Sequence, residues 1–316
     1  MAAAETSREN DQWSVPMPRS LRGLGLTIVV VGHALAFVAA LVGAWWVAAA
    51  ALAPAAFCVV WGSFNPHSRL FGAVLRQLAP RPDERIVWLT FDDGPAADTP
   101  ALLAVLAKHH ARATFFLVGE RARRRPQHVR SIVDAGHDVG NHSQQHPAGS
   151  FWGLSPRTLA EEIARAQETL TALSGRAPRW FRAVAGHANP FLDPVLRCVG
   201  LQRVSWSARG FDSVDNDDAR VLARLVRGIA PGAVLMLHED ATRPGRCPRL
   251  TDALLQELSA RGYRTVAAPM PLSASDPDVP APAHVTVEPA ADQLEVEAGP
   301  TPGIGTAIAA NRPSSR

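Results

Sequence analysis

Asp92 and Asp93 stand side by side where the apolar run IVWLTF ends, and about fifty residues later His142 and His146 lie four positions apart in GNHSQQH. Two imidazoles and one carboxylate leave a coordination position open, which is the donor pattern of a catalytic zinc rather than a structural one. Cobalt, manganese and Fe(II) can take the same ligands. Such a cation makes a bound water a usable nucleophile near neutral pH. Successive side chains of an extended chain point to opposite sides, so one aspartate can face the metal while its neighbour faces the reacting water. One helical turn through 142–146 would bring both imidazoles to one face. The pair lacks the Glu of HExxH, which argues against a zincin protease. Three further candidates end apolar stretches: Arg182 after Trp180-Phe181, Asp212 after 201–207, and His238 after 233–237.

These residues need a frame that brings strand ends together. Strand-like runs occur at 86–91, 113–119, 201–207, 233–238 and 263–268, and helical patterns at 99–109, 121–135, 156–173, 217–230 and 250–261. Asp217 and Thr99 read as N-caps, and Gly136, Gly175 and Gly262 as helix stops. Strand–helix alternation implies a mainly parallel α/β sheet, open or closed into a barrel, with reactive groups at the C-terminal strand ends. It also disfavours an all-β Fe(II) oxygenase built on the same ligand set.

Of the 316 residues 47% are hydrophobic, and the net charge of +3 comes from scattered basic residues, which gives no sign of a nucleic-acid partner. From Gly23 to Ser68 runs a stretch of 46 residues without Asp, Glu, Lys or Arg. A span needs about 20 apolar residues, so this length fits two helices in a membrane. Trp45, Trp46 and Trp61 fall where interfacial belt residues belong. Arg19, Arg22, Arg69 and Arg76 flank the run, so a hairpin would leave both ends in the cytoplasm of a cell whose inner membrane holds it. The expected organisation is a cytoplasmic segment 1–22, a transmembrane segment 23–68, a linker 69–85, a catalytic domain 86–269 and a disordered Pro/Ala-rich tail 270–316. Cys58, Cys198 and Cys247 form no CxxC pattern and read as buried thiols. Arg121–Arg125 reads as a solvated helix face.

TFDDGP (90–95), GHDVGNHSQQHP (136–147), FRAVAG (181–186) and LMLH (235–238) occur in an order that resembles the signatures of NodB-type polysaccharide deacetylases, carbohydrate esterase family 4. The resemblance spans roughly 86–268. It implies a distorted (β/α) barrel and metal-dependent removal of N-acetyl, or sometimes O-acetyl, groups from a polysaccharide or lipid-linked glycan. It further implies that Asp93, His142 and His146 hold the metal, zinc first, with cobalt or manganese as substitutes. Asp92 would be the general base, Arg182 its partner, His238 the general acid and Asp212 the group that orients it. The backbone N–H near Ala185 would stabilise the oxyanion. The third signature has Val184 and Ala185 where the family carries a proline and an aromatic, and the fourth keeps Asp212 but has Ser213 in place of tryptophan. Those changes fall at the substrate cleft and leave a non-catalytic glycan-binding or scaffolding membrane protein as the alternative.

Overall fold

The structure is a computed structural model that describes residues 20–239 and 242–267. The proposed tail and most of the N-terminal segment lie outside the described residues.

Two helices come first, α1 (Ser20–Leu41) and α2 (Trp45–Phe64). They meet through small residues: Ala36, Ala39 and Ala48 are buried between them, and a Cβ on Gly32 would lie 2.8 Å from the Ala51 carbonyl. Backbones that approach this closely need glycine and alanine at the seam. Among the described residues one helix, α2, is long and apolar enough to cross a membrane. The apolar part of α1, Gly25–Leu41, is shorter, so the expected pair of spans is met by one helix on length and composition.

The segment 69–85, expected to be a linker, is packed. Val74 and Leu78 are buried, Leu75 bridges Val204 in parallel, and the Arg203 guanidinium donates to the carbonyls of Ser68, Gly72 and Ala73. Buried apolar side chains, with a buried arginine that satisfies the carbonyls ahead of them, turn a spacer into a strap.

The catalytic region is a curled, all-parallel sheet. Its strands are β1 (Ile86–Gly94), β2 (Ala113–Leu117), β3 (Asp138–Asn141), β4 (Trp180–Phe181), β5 (Gln202–Arg203), β6 (Ala208–Arg209) and β7 (Ala233–His238), ordered β5-β4-β3-β2-β1-β7-β6, with β8 (Arg264–Thr265) beside the start of β1. No pairing joins β5 to β6 among the described residues, so the barrel stays open on that side. Helices α3 (Thr99–Lys108), α4 (Gly119–Arg124), α5 (Pro126–Asp134), α6 (Pro156–Ser174), α7 (Leu192–Cys198), α8 (Asp218–Arg227) and α9 (Arg246–Ala260) connect the strands. The period of two along β1 explains the layers. Val87, Leu89 and Phe91 pack toward the helices, while Ile86 and Trp88 face the sheet interior with Phe116, Trp180 and Val234. Thr90 and Asp92 continue the interior line, which delivers a carboxylate to the sheet's C-terminal edge.

Further sequence expectations change. The helix 121–135 is two helices, because Arg125 is non-helical (φ −134°, ψ 57°) ahead of Pro126, whose ring excludes a helical predecessor. Only Gln202–Arg203 of the run 201–207 is strand, the rest crossing toward β6. Of the three thiols expected to be buried, Cys247 is, Cys58 is half-buried and Cys198 is exposed. Asp217 does cap α8, its side chain accepting from the Arg220 N–H, whereas α3 begins at Thr99 with Asp98 as its N-cap residue.

Candidate active site

β1 lies between β2 and β7, and Asp92 is the register partner of both Phe116 and His238. A bulge follows: the pairing shifts between Asp92 and Gly94, and Asp93 takes φ 69°. This left-handed residue, rather than simple strand alternation, turns the second carboxylate away from the first. Left-handed non-glycine residues are costly and gather at functional sites.

His142 and His146 do converge, but not on a helix turn as expected. β3 ends at Asn141, and Ser143 (φ 66°) and His146 (φ 60°) fold the chain back so that the ring centroids stand 5.0 Å apart. Side chains fix this loop. Asn141 Oδ1 accepts from the Ser143 N–H, Ser143 Oγ from the His146 N–H, and Glu162 Oε2 from the N–H groups of Gln144 and Gln145.

Donor atoms of Asp93, His142 and His146 lie within 4.8 Å of one another. His142 Nδ1 is 2.8 Å from the Arg182 carbonyl, which can only accept, so Nδ1 carries the proton and Nε2 presents a lone pair. Asp93 Oδ1 sits 2.9 Å from His146 Nε2 and 3.5 Å from His142 Nε2, yet it is buried without an aligned hydrogen bond. Burial pushes the Asp93 carboxyl up, and the two imidazoles outweigh that and hold it well below the usual carboxylate range. Three potential ligand atoms converging, with the buried Asp93 Oδ1 lacking an aligned hydrogen bond, fit a divalent cation bound by nitrogen and carboxylate oxygen.

Two buried pairs flank this cluster. Arg182, fully buried, donates from Nη1 to Asp92 Oδ1 and to Thr90 Oγ1, both at 2.7 Å, and from Nη2 to the Ser205 carbonyl at 2.9 Å. Its guanidinium lies over the Phe116 ring at 4.1 Å. Burial lowers its pKa, and Asp92 opposes that shift. On the other side Asp212 grips His238 twice, at its backbone N–H (2.7 Å) and at Nδ1 (3.0 Å). Burial pulls the His238 pKa down, but Asp212, then Asp92 and Asp93, carry it up to about 9. Ala185 (φ 53°) sits in a short turn, Val184–Gly186, beyond Arg182.

All seven candidates therefore meet at the C-terminal edge of the sheet. Sequence reasoning missed several that serve them. Arg121, expected to be solvated, donates to the Asp93 carbonyl and lies 3.8 Å from its Oδ1. Glu239, the residue after His238, is 1% exposed; it accepts from the Ala96 N–H and the Thr99 hydroxyl, and its own N–H donates to the Asp92 carbonyl. A Cβ on Gly94 would lie 2.2 Å from Glu239 Oε1, so glycine is needed there for close approach. The carboxylate thus ties the loop after Asp93 to the strand that carries His238. Its position directly behind His238 was the only signal available.

A parallel α/β sheet with a cation-type donor set and two carboxylate-supported proton carriers at its C-terminal edge has the architecture of a hydrolase. Residues 79–204 match the polysaccharide deacetylase family. The chain is 33% identical over 191 residues to a chitooligosaccharide deacetylase of Bradyrhizobium sp. (strain ANU 289), covering 60% of this chain and 86% of that one. It is 32% identical over 190 residues to a peptidoglycan-N-acetylglucosamine deacetylase of Bacillus cereus, covering 58% and 66%. Among solved structures, the family 4 carbohydrate esterase from Streptomyces lividans in complex with acetate is 30% identical, covers 63% of this chain and 98% of that chain, and superposes with a TM-score of 0.53. A wild-type family 4 pseudoenzyme from Bacillus anthracis is 25% identical with a TM-score of 0.55, covering 61% and 66%. The chain belongs to the polysaccharide deacetylase family of carbohydrate esterases, hydrolases of carbon–nitrogen bonds.

Proposed function

We propose that this protein removes acetyl groups from the N-acetylated sugars of a membrane-associated glycan. The observation that carries the reading is the pairing of Asp92 with His238 on adjacent strands beside the Asp93–His142–His146 cluster. Asp93, His142 and His146 would hold a divalent cation, zinc first, which would polarise the acyl oxygen and make water more acidic. Asp92 takes the proton from the attacking water, and Arg182, 2.7 Å from its Oδ1, aims that carboxylate. The N–H of Ala185 receives the charge that develops on the acyl oxygen, a donor of a kind worth about 3–4 kcal/mol. His238, protonated at neutral pH, gives its proton to the departing amine, and Asp212 holds its ring in place.

Membrane attachment belongs to the same proposal. Helix α2 has a mean hydropathy of 1.9 and is largely uncovered by the rest of the chain. Trp46, Phe57 and Trp61 on it are 90%, 67% and 56% exposed, a surface that water does not favour and lipid does. Alkaline carbonate extraction of cell membranes tests it: release of the chain into the supernatant would remove the anchor from the reading.

Acetate release decides the activity. Metal-loaded protein incubated with chito-oligosaccharides and peptidoglycan fragments is expected to release acetate, and the Asp92→Asn variant to release none above background. Silence across that panel with the cation bound would leave glycan binding without catalysis as the better reading.

A further inference from the structure

The open side of the barrel, between β5 and β6, is closed by the strap that follows α2, and a cleft of about 510 Å³ runs along that seam. Pro66 and His67, between α2 and the strap, form one wall, and Trp206, Arg209, Phe211 and Arg227 of the barrel form the other. We propose that this cleft binds the phosphate that links a glycan substrate to its membrane lipid, a site separate from the hydrolytic centre. The proposal deepens the deacetylase reading and rests on it for the identity of the sugar, not for the phosphate.

Charge is the first argument. Arg209 and Arg227 make no ion pair among the described residues, while Arg224 at the same cleft is already matched by Asp215 at 2.8 Å. Arg76 and Arg209 both act on His67, whose pKa falls through burial and then through those two charges. Asp212 acts on Arg209 only through space, so the positive charge gathered at the cleft keeps an electrostatic cost that an anion relieves.

Geometry is the second. The Arg209 guanidinium lies 4.0 Å over the Phe211 ring and 5.0 Å from that of Trp206, and His67 meets Trp206 edge-on at 5.8 Å. Stacking fixes the plane of the guanidinium while leaving its N–H edge free, the arrangement that suits a phosphate.

Position is the third. Pro66 and His67 come directly after the helix that carries the apolar surface, so the cleft stands where a lipid's phosphate would be. It also borders the site: Phe211 precedes Asp212, and Trp206 and Pro66 both pack at Gly186 beside Ala185. A phosphate seated here would hold its sugar next to the base and the acid.

The full chain in detergent, titrated calorimetrically with geranyl phosphate, is expected to bind it and to ignore geraniol. Arg209→Gln and Arg227→Gln are each expected to weaken that binding tenfold or more; Arg227 is exposed, so its variant keeps the test readable if loss of stacking unfolds the other. Equal affinity for alcohol and phosphate, or unchanged affinity in the Arg227→Gln variant, overturns the site. Dihexanoyl phosphatidylglycerol is expected not to displace geranyl phosphate; displacement would assign the cleft to bulk bilayer headgroups and overturn the substrate assignment. On N-acetylglucosamine carried by a short prenyl phosphate, the arginine variants are expected to raise KM tenfold with kcat unchanged. Phosphate binding without acetate release sinks the deacetylase reading alone, and acetate release without phosphate binding sinks the cleft alone.

Discussion

Asp212 holds His238 by both ends of one carboxylate, Oδ2 on the backbone N–H at 2.7 Å and Oδ1 on Nδ1 at 3.0 Å. The ring is thereby fixed relative to its own main chain, and its free Nε2 is left as the proton donor. The raised pKa sets the direction of the pH response. His238 is charged below about 9, so its contribution to folding is complete below its ordinary value of 6.5 and is lost as the pH rises through about 9. Activity is expected to fall over the same alkaline interval. Asp212→Asn should move that limb of the kcat–pH profile downward and lower kcat at pH 8 by roughly 10²-fold or more. An alkaline limb that stays in place would remove Asp212 from its orienting role.

Asp92 and Arg182 form a buried ion pair, and removing one partner strands the other. Asp92→Asn is expected to abolish turnover while the cation stays bound, which metal analysis of the purified variant checks. Leaving the fully buried Arg182 without its counterion should also lower stability by about 3–5 kcal/mol, read as a clear drop in Tm.

The donor cluster predicts a reversible dependence on metal. Dialysis against a strong chelator should remove activity, and added zinc or cobalt should restore it. His146→Ala should lose both the stoichiometric cation and the activity. Glu162→Gln, which weakens the carboxylate gathering the Gln144 and Gln145 N–H groups, should reduce metal affinity by about 10–100-fold without touching the ion.

Glu239 predicts a stability signature. Burial pushes its carboxyl up to about 7, against the Thr99 and Ala96 donors that pull it down. A raised carboxyl favours folding where it is protonated, so this contribution is present below about 4.5 and fades as the pH rises through about 7. The Tm of the wild type should therefore fall more steeply between pH 5 and 8 than that of Glu239→Gln. Glu239→Ala, which removes the carboxylate that accepts from the Ala96 N–H and the Thr99 hydroxyl, should lose both Tm and kcat, with Gln restoring most of each.

The sequence announced those parts of the molecule in which one physical rule acts alone. β1 and β7 are legible because strands buried on both faces read as continuous apolar runs, and β7 spans the anticipated Ala233–His238. Asp92, Asp93, Arg182 and His238 are legible because each stands where an apolar run stops, and His142 and His146 because of their spacing. What stayed hidden depends on backbone conformations that residue type barely signals. Asp93, Ser143 and His146 are left-handed without being glycine, so the assumed strand alternation and helix turn were wrong even though the side chains converge. Arg121 and Glu239 were hidden for another reason. Each is ordinary in its local stretch and acquires its role from a partner far along the chain. The strap was hidden because its anchor, Arg203, lies more than a hundred residues downstream.

The junction between α2 and the barrel carries no slack. The Ser63 carbonyl already accepts from the Ala188 N–H, and Pro66 already touches Gly186. A flexible tether gains reach of about 5–6 Å times the square root of its length, and here that free length is essentially nil. Were α2 seated in a bilayer, the catalytic mouth would keep one fixed altitude, and splicing Gly-Ser repeats into the junction would exchange that altitude for range.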